Sequence, residues 1–165
     1  MVQKITLIHG DFLKKIENLE PEFFDHIVSN PPYRKIQTGR INPDSGKALA
    51  RHELSLNMNS LLDTSAPLLK KGGQISLAYP TERMGEVLRE LEYRSLYPRQ
   101  ARFIHGNFQT AAKIFLVSAL KGKKSDFTVA PPLAVYNKDQ TYSKEMEQIY
   151  ASFNYTDRPN EFGEK

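Results

Sequence analysis

Apolar and polar positions alternate with two distinct periods along this chain, and the changes of period mark out its elements. Lys4 to His9 alternate weakly and are rich in Ile, Thr and Leu, which predicts a strand ending at Gly10-Asp11. Phe12, Leu13, Ile16 and Leu19 then recur at helical spacing, with Pro21 as a stop. Phe24 to Val28 predict a second strand. From Arg34 to Lys47 the pattern is lost in a polar, basic, turn-rich stretch with Gly39, Asn42-Pro43-Asp44 and Gly46, which reads as a long loop. A helix is expected from about Ala48 into the 60s, facing the core with Leu54, Met58, Leu61 and Leu62, kinked or restarted at Pro67 and ended by Gly72-Gly73. Gln74 to Tyr79 predict a third strand. Thr81 is the expected N-cap of a further helix whose apolar face is Val87, Leu88 and Leu91. Ser95 to Ile104 and Lys113 to Leu120 predict two neighbouring strands, Pro131 to Tyr136 one more apolar stretch, and Met146 with Ile149 an amphipathic turn. There are no internal repeats. Strands alternating with helices and closing on two adjacent strands fit an α/β layered sheet, whose functional loops lie at the carboxyl ends of the strands.

Asn30-Pro31-Pro32-Tyr33 falls at such an end, directly behind Ile27-Val28-Ser29. Each proline fixes its own φ and pushes the preceding residue toward extended backbone, so the strand ends in a stiff, non-helical corner. That corner can present an amide oxygen, a backbone carbonyl and a flat ring around one planar amino group. The exocyclic amine of adenine is a poor nucleophile because its lone pair is delocalised into the ring. The Asn30 side-chain oxygen and the Pro31 carbonyl can accept its two N–H bonds and draw the nitrogen toward tetrahedral geometry while Tyr33 stacks on the base. Attack on an electrophilic methyl group then needs no strong base. A base inside folded nucleic acid must first leave its stack, and an aromatic platform offsets part of that cost. The bland alternative is that Pro31-Pro32 ends a strand and Tyr33 packs on whatever follows. An accidental string of this kind is expected in roughly one chain in a thousand of this size, from average residue usage. The catalytic reading requires the corner to open onto a crevice.

Composition narrows the remaining classes. At 165 residues the chain accommodates one domain, here taken as 1–150 with a flexible tail at 151–165. The absence of cysteine excludes disulfides and thiolate metal sites, and His9, His26, His52 and His105 have no metal-ligand spacing, so no metal is expected. No apolar stretch approaches the length of a membrane span and the first residues lack a signal-peptide core, which makes a cytoplasmic protein the expectation. The net charge of +4 and pI near 9.2 suit an anionic partner.

Together these residues resemble the class I S-adenosylmethionine-dependent methyltransferases, and within them the family that methylates the exocyclic amine of adenine 37 in a valine tRNA. The resemblance runs from Ile5 to about Tyr150. It rests on Asn30-Pro31-Pro32-Tyr33, Ala50-Arg51-His52-Glu53, Leu68-Leu69-Lys70-Lys71-Gly72-Gly73, Tyr79-Pro80-Thr81-Glu82-Arg83 and Pro131-Pro132-Leu133-Ala134-Val135-Tyr136. It implies a Rossmann-like sheet of order 3-2-1-4-5-7-6, S-adenosylmethionine as cofactor and tRNA as substrate. It also implies Asn30, Pro31, Pro32 and Tyr33 as the catalytic corner, and Asp11, Phe12 and Asn30 at the cofactor. For Asp11 the alternative is that it simply caps the turn at Phe12.

The family's glycine-rich cofactor turn and ribose-binding acid have no counterpart in this sequence, since no Gly-x-Gly precedes Asp11. The expected fold is therefore a partial class I methyltransferase sheet lacking its first two strands, in which a central strand keeps an unpaired edge. Either the strand at Ile5 moves over to pair with the strand at Ile27, or a second polypeptide supplies the missing half. S-adenosylmethionine is expected to bind this chain alone weakly or not at all. Arg34, Lys35, Arg40, Lys47 and Arg51 are candidate contacts to tRNA phosphates, as are Lys121, Lys123 and Lys124, although a charge run is most often a solvated face. His52 and Glu53 are candidate pocket residues, against the ordinary reading that such groups near a helix start are solvated or capping. Two other functions compete: methylation of a protein glutamine at its side-chain amide, which uses the same planar-amine logic, and an inactive truncated RNA-binding fragment.

Overall fold

The computed structural model of the chain describes residues 5–14, 19–31 and 58–153. Among the described residues, six strands form one sheet: β1 (Phe24–Ser29), β2 (Leu69–Pro80), β3 (Leu96–His105), β4 (Ile114–Lys121), β5 (Thr128–Val129) and β6 (Leu133–Ala134). The helices are α1 (Met58–Leu68), α2 (Met84–Tyr93) and α3 (Lys144–Ser152). The sheet order is β1-β2-β4-β3, with β5 and β6 both lying along the outer edge of β3. β1 and β2 are parallel, β4 is antiparallel to both β2 and β3, and β5 and β6 run parallel to β3. The carboxyl ends of β1, β2, β3 and β6 consequently share one edge.

The period-2 pattern of β2 and β4 explains the single-sided core. Ile75, Leu77 and Tyr79 of β2, and Phe115, Val117 and Ala119 of β4, alternate onto one face and are buried. On that face they meet Met58, Leu61 and Leu62 of α1 and Val87 and Leu91 of α2. The opposite face carries Gln74, Ser76 and Ala78 of β2 with Leu116 and Ser118 of β4, and among the described residues no helix covers it. No described helix is long and apolar enough to cross a membrane.

β1, β2, β3 and β4 lie where the hydrophobic pattern predicts them, and the apolar faces of α1 and α2 are the expected ones. The departures share a cause, namely contacts that no local pattern encodes. Residues 5–9 form no strand: Ile5 is 88% and Leu7 93% exposed, and β1 pairs with β2 alone among the described residues. The expected shift of Ile5 onto Ile27 does not occur, because a strand exists only where a neighbour completes its ladder. Phe12 and Leu13 lie in a turn closed by Lys14 N donating to Asp11 O at 3.0 Å, not in a helix, while Ile16 lies outside the described residues.

The helix does not end at Gly72-Gly73. α1 runs through Pro67 to Leu68, and both glycines belong to β2. Between the pairs Phe24–Leu69 and His26–Gln74, β1 advances two residues and β2 five, so the segment around the glycines bulges out. Gly72 has φ +74°, and a Cβ on Gly73 would stand 2.9 Å from the Lys70 carbonyl oxygen. Lys121, at the end of β4, donates to the Leu69 carbonyl at 2.6 Å, and Glu22 N donates to Pro67 O at 2.9 Å, so tertiary donors satisfy carbonyls at the helix end. Thr81 is not an N-cap either. It opens a single 3-10 turn ahead of α2, and its hydroxyl donates to Ala112 O at 2.8 Å. The amphipathic turn expected at Met146 and Ile149 is a full helix, α3, capped by Ser143, whose hydroxyl accepts from Met146 N.

Candidate functional site

β1 delivers the Asn-Pro corner to the carboxyl edge of the sheet. Ser29 is in register with Leu77, and Asn30 and Pro31 follow it as the chain leaves the sheet, while β2 continues to Pro80. Asn30 is exposed and Pro31 behind it is buried. Asn30 stands at the margin of an open concavity of about 370 Å³ on the uncovered sheet face. Its floor consists of Ser76 and Ala78 of β2, Leu116 and Ser118 of β4, and Gln100 and Arg102 of β3. The corner thus borders open space with a mixed polar floor.

The floor residues were not singled out by sequence reasoning. The signal was present as the polar phase of the alternation in β2 and β4, but without a sheet it reads as ordinary solvent-facing side chains. Arg102 is held in place: its Nε donates to Pro131 O at 2.8 Å and it pairs with Glu145 at 2.6 Å, which pins α3 beside the sheet. On the same edge, Tyr79 is buried beneath the Arg83 guanidinium, 5.3 Å from its ring centroid. The Glu86 carboxylate accepts two hydrogen bonds from Arg83 at 3.0 Å and raises its pKa above the ordinary value.

Two further features occupy this edge. The hairpin joining β3 to β4 carries Phe108 at its tip, and the segment after β6 carries Tyr136, which stacks on Tyr142 with ring centroids 5.3 Å apart and planes at 16°. Tyr150 of α3 packs against Tyr142 at 5.2 Å with planes tilted at 56°, and its hydrogen bond to the Tyr142 hydroxyl is the first cause of a Tyr142 pKa raised above its usual value.

Of the remaining predicted site residues, Asp11 lies in the exposed turn, where its Oδ1 accepts from Leu13 N at 3.0 Å, so it does cap that turn. Phe12 is half-buried and packs against the margin of the core. Pro32, Tyr33, Arg34, Lys35, Arg40, Lys47, Arg51, His52 and Glu53 lie outside the described residues. Lys121 and Lys124 stand at the other edge of the sheet: Lys121 is bound to the Leu69 carbonyl, and Lys124 lies over the Tyr97 ring at 5.5 Å. Among the described residues no three His, Asp or Glu side chains gather into a metal-binding group.

No family model matches the chain. Among curated proteins it is 31% identical over 79% of its length to a tRNA1(Val) (adenine(37)-N6)-methyltransferase of Shewanella woodyi, covering 54% of that protein. It is 28% identical over 91% of its length to one of Shewanella baltica, covering 63%, and 31% identical over 92% to one of Tolumonas auensis, covering 60%. The chain therefore spans between about half and two thirds of the length of these relatives. Among solved structures it superposes on a protein predicted to be an O-methyltransferase, from Agrobacterium tumefaciens, with TM-score 0.62 and 19% identity over 86% of this chain and 60% of that one. A protein assigned to the class I S-adenosylmethionine-dependent methyltransferases, from Listeria monocytogenes, gives TM-score 0.55 and 16% identity over 93% of this chain and 48% of that one. The chain is thus similar in sequence to tRNA1(Val) adenine-37 methyltransferases over most of its own length, and has the fold of part of a class I methyltransferase. Its order β1-β2-β4-β3 corresponds to the 4-5-7-6 portion of the sheet that the sequence resemblance implies.

Proposed function

We propose that this chain carries the substrate-gripping part of a methyltransferase that transfers a methyl group from S-adenosylmethionine to the exocyclic amine of an adenine in tRNA. The observation that supports this most is the exposed Asn30 at the carboxyl end of β1, bordering an open concavity, in a chain whose homologues bear that activity in their names. Asn30 Oδ1 and the Pro31 carbonyl accept the amine's hydrogens and localise its lone pair, and Tyr33 stacks on the base. When bound, S-adenosylmethionine would supply an electrophilic methyl group. As the new N–C bond formed, the methyl's bond to sulfur would break to leave a neutral thioether, and the amine, made more acidic, would lose a proton to water at the corner. Asp11 offers a carboxylate for the cofactor's adenine amine, which its exposure in the turn permits, and Phe12 offers a partly open ring beside it. A tRNA substrate accords with a cytoplasmic location. The full-length gene product, assayed with labelled S-adenosylmethionine, is expected to label total tRNA and not release factor. Label in release factor alone would overturn the adenine assignment.

Cofactor retention is a separate matter, since no glycine-rich turn opens a helix among the described residues. Titration calorimetry with the 165-residue chain is expected to give no micromolar binding of S-adenosylmethionine, and a micromolar isotherm would refute this. Binding of tRNA phosphates is assigned to Arg34, Lys35, Arg40, Lys47 and Arg51, close in sequence to the corner. Changing two of these to alanine is expected to flatten the plot of log affinity against log salt by about 0.7 to 0.9 for each phosphate no longer neutralised. The double change Lys123→Ala with Lys124→Ala, at the far edge, is expected to leave that slope unaltered.

A further inference from the structure

The hairpin between β3 and β4 rises past the Asn30 corner. Asn30 follows the Ser29–Leu77 pair, whose row continues through Val117 to Ala101, whereas the β3–β4 ladder runs on to Ile104–Ile114. From that overshoot the chain turns through a tip held by a cluster of local hydrogen bonds between Asn107 and Thr110. Gln109 N donates to Asn107 Oδ1 at 3.0 Å, Thr110 N and Thr110 Oγ1 both donate to Asn107 O, and Asn107 N donates to Thr110 Oγ1. His105 Nδ1 lies 2.7 Å from Thr110 O. This rigid tip holds Phe108 with 71% of its surface exposed, its ring centroid 6.5 Å from that of His105. A phenylalanine so placed contributes little to the core.

Beside it lies a second aromatic group on the same edge. Tyr136 N donates to Gly106 O at 2.8 Å, which fastens the tyrosine stack to the base of the hairpin. Tyr136, Tyr142 and Tyr150 shield one another yet remain between 38% and 48% exposed. Their packing also anchors α3, which is reason enough for a stack but not for that much open ring surface, nor for Phe108. The cations near this ledge are Lys113, Lys138 and Lys144, all exposed. Of the nearby carboxylates, Glu145 is paired with Arg102, whereas Asp139, whose ionised form is favoured by hydrogen bonds from Thr141, and Glu147 keep their charge, so attraction to phosphate is not what this ledge offers. Four strand-to-strand steps of about 4.8 Å separate β1 from β6, so the ledge stands roughly 20 Å from the corner. That is the reach of a few nucleotides.

We propose that Phe108 and the Tyr136–Tyr142–Tyr150 stack form a nucleobase-stacking surface for unpaired RNA nucleotides near the target adenine. This rests on the tRNA reading above and adds how the loop carrying that adenine is held. Aromatic faces bind any base through its π-face, and a preformed cluster, with Tyr136 and Tyr142 near-parallel and Tyr150 tilted at 56° to Tyr142, contributes this surface at little further ordering cost. The test is equilibrium binding, by fluorescence anisotropy, of the chain to a labelled RNA stem-loop with adenine in its unpaired loop, compared with a fully paired RNA of the same length. Phe108→Ala is expected to weaken stem-loop binding roughly 5- to 150-fold and to leave duplex binding unchanged. Tyr142→Phe is expected to retain affinity and Tyr142→Leu to lose it, with circular dichroism confirming that each variant is folded. Unchanged stem-loop affinity for Phe108→Ala, equal weakening for the duplex, or no RNA binding by the chain would each overturn the proposal. Asn30→Ala separates it from the reading it rests on: that change is expected to spare stem-loop affinity of the chain, so retained turnover of the full-length gene product carrying it would sink the catalytic assignment while leaving the stacking result intact.

Discussion

Asn30→Ala in the full-length gene product is expected to lower the rate of methyl transfer to tRNA by roughly 10²-fold or more, the usual effect of losing one preorganised hydrogen-bonding partner of a reacting group. The loss should appear in kcat with little change in KM for tRNA, because the acceptor is used chiefly as the amine pyramidalises and contributes little to binding the flat ground state. Asn30→Asp gives a second reading of the same site. It keeps an acceptor in place but removes the amide N–H₂ and adds charge, so it should retain more activity than alanine if acceptance is the role. Asn30 is exposed at the end of a strand that lies at the sheet edge among the described residues, so neither change opens a cavity in the core. Initial rates with labelled cofactor, together with a melting curve, decide the matter: turnover equal to the parent in a folded Asn30→Ala protein would remove Asn30 from the chemistry.

Phe115→Ala is expected to cost about 3–5 kcal/mol of folding stability, measured by urea denaturation at constant slope. Phe115 sits fully buried in β4 between β2 and β3, paired with Tyr79 on one side and Phe103 on the other, on the face that α1 and α2 cover. Against a typical total of about 5–15 kcal/mol, that loss would leave a marginal protein. Its neighbour Leu116 points to the opposite face and is 41% exposed. Leu116→Ala is therefore expected to change stability by no more than about 0.5 kcal/mol. Comparable costs at the two positions would mean that the second face of the sheet is covered in solution, contrary to the one-sided core described above.

Much of this architecture was legible in the chain because strand alternation and helical spacing are local. Ile75, Leu77 and Tyr79 announce their shared face by period alone, as do Val87 and Leu91. The Asn30-Pro31-Pro32-Tyr33 corner was legible for a different reason, since proline restricts the backbone whatever surrounds it. The concavity beside it was not, because Ser76, Ser118 and Gln100 come from three strands and meet only once β4 has been inserted between β2 and β3.

What the sequence by itself determined, then, was the type of most elements, the buried phase of each and the stiff corner behind β1. Only the tertiary structure decided whether residues 5–9 would pair, that Gly72-Gly73 would bulge within a strand rather than end a helix, that Thr81 would bind Ala112, and that Phe108 and three tyrosines would share an edge with Asn30. The physical reason is common to all four. A ladder, a bulge, a cross-chain hydrogen bond and a ring stack each need a partner distant in sequence, and the free energy that selects them exists only once that partner has been brought alongside.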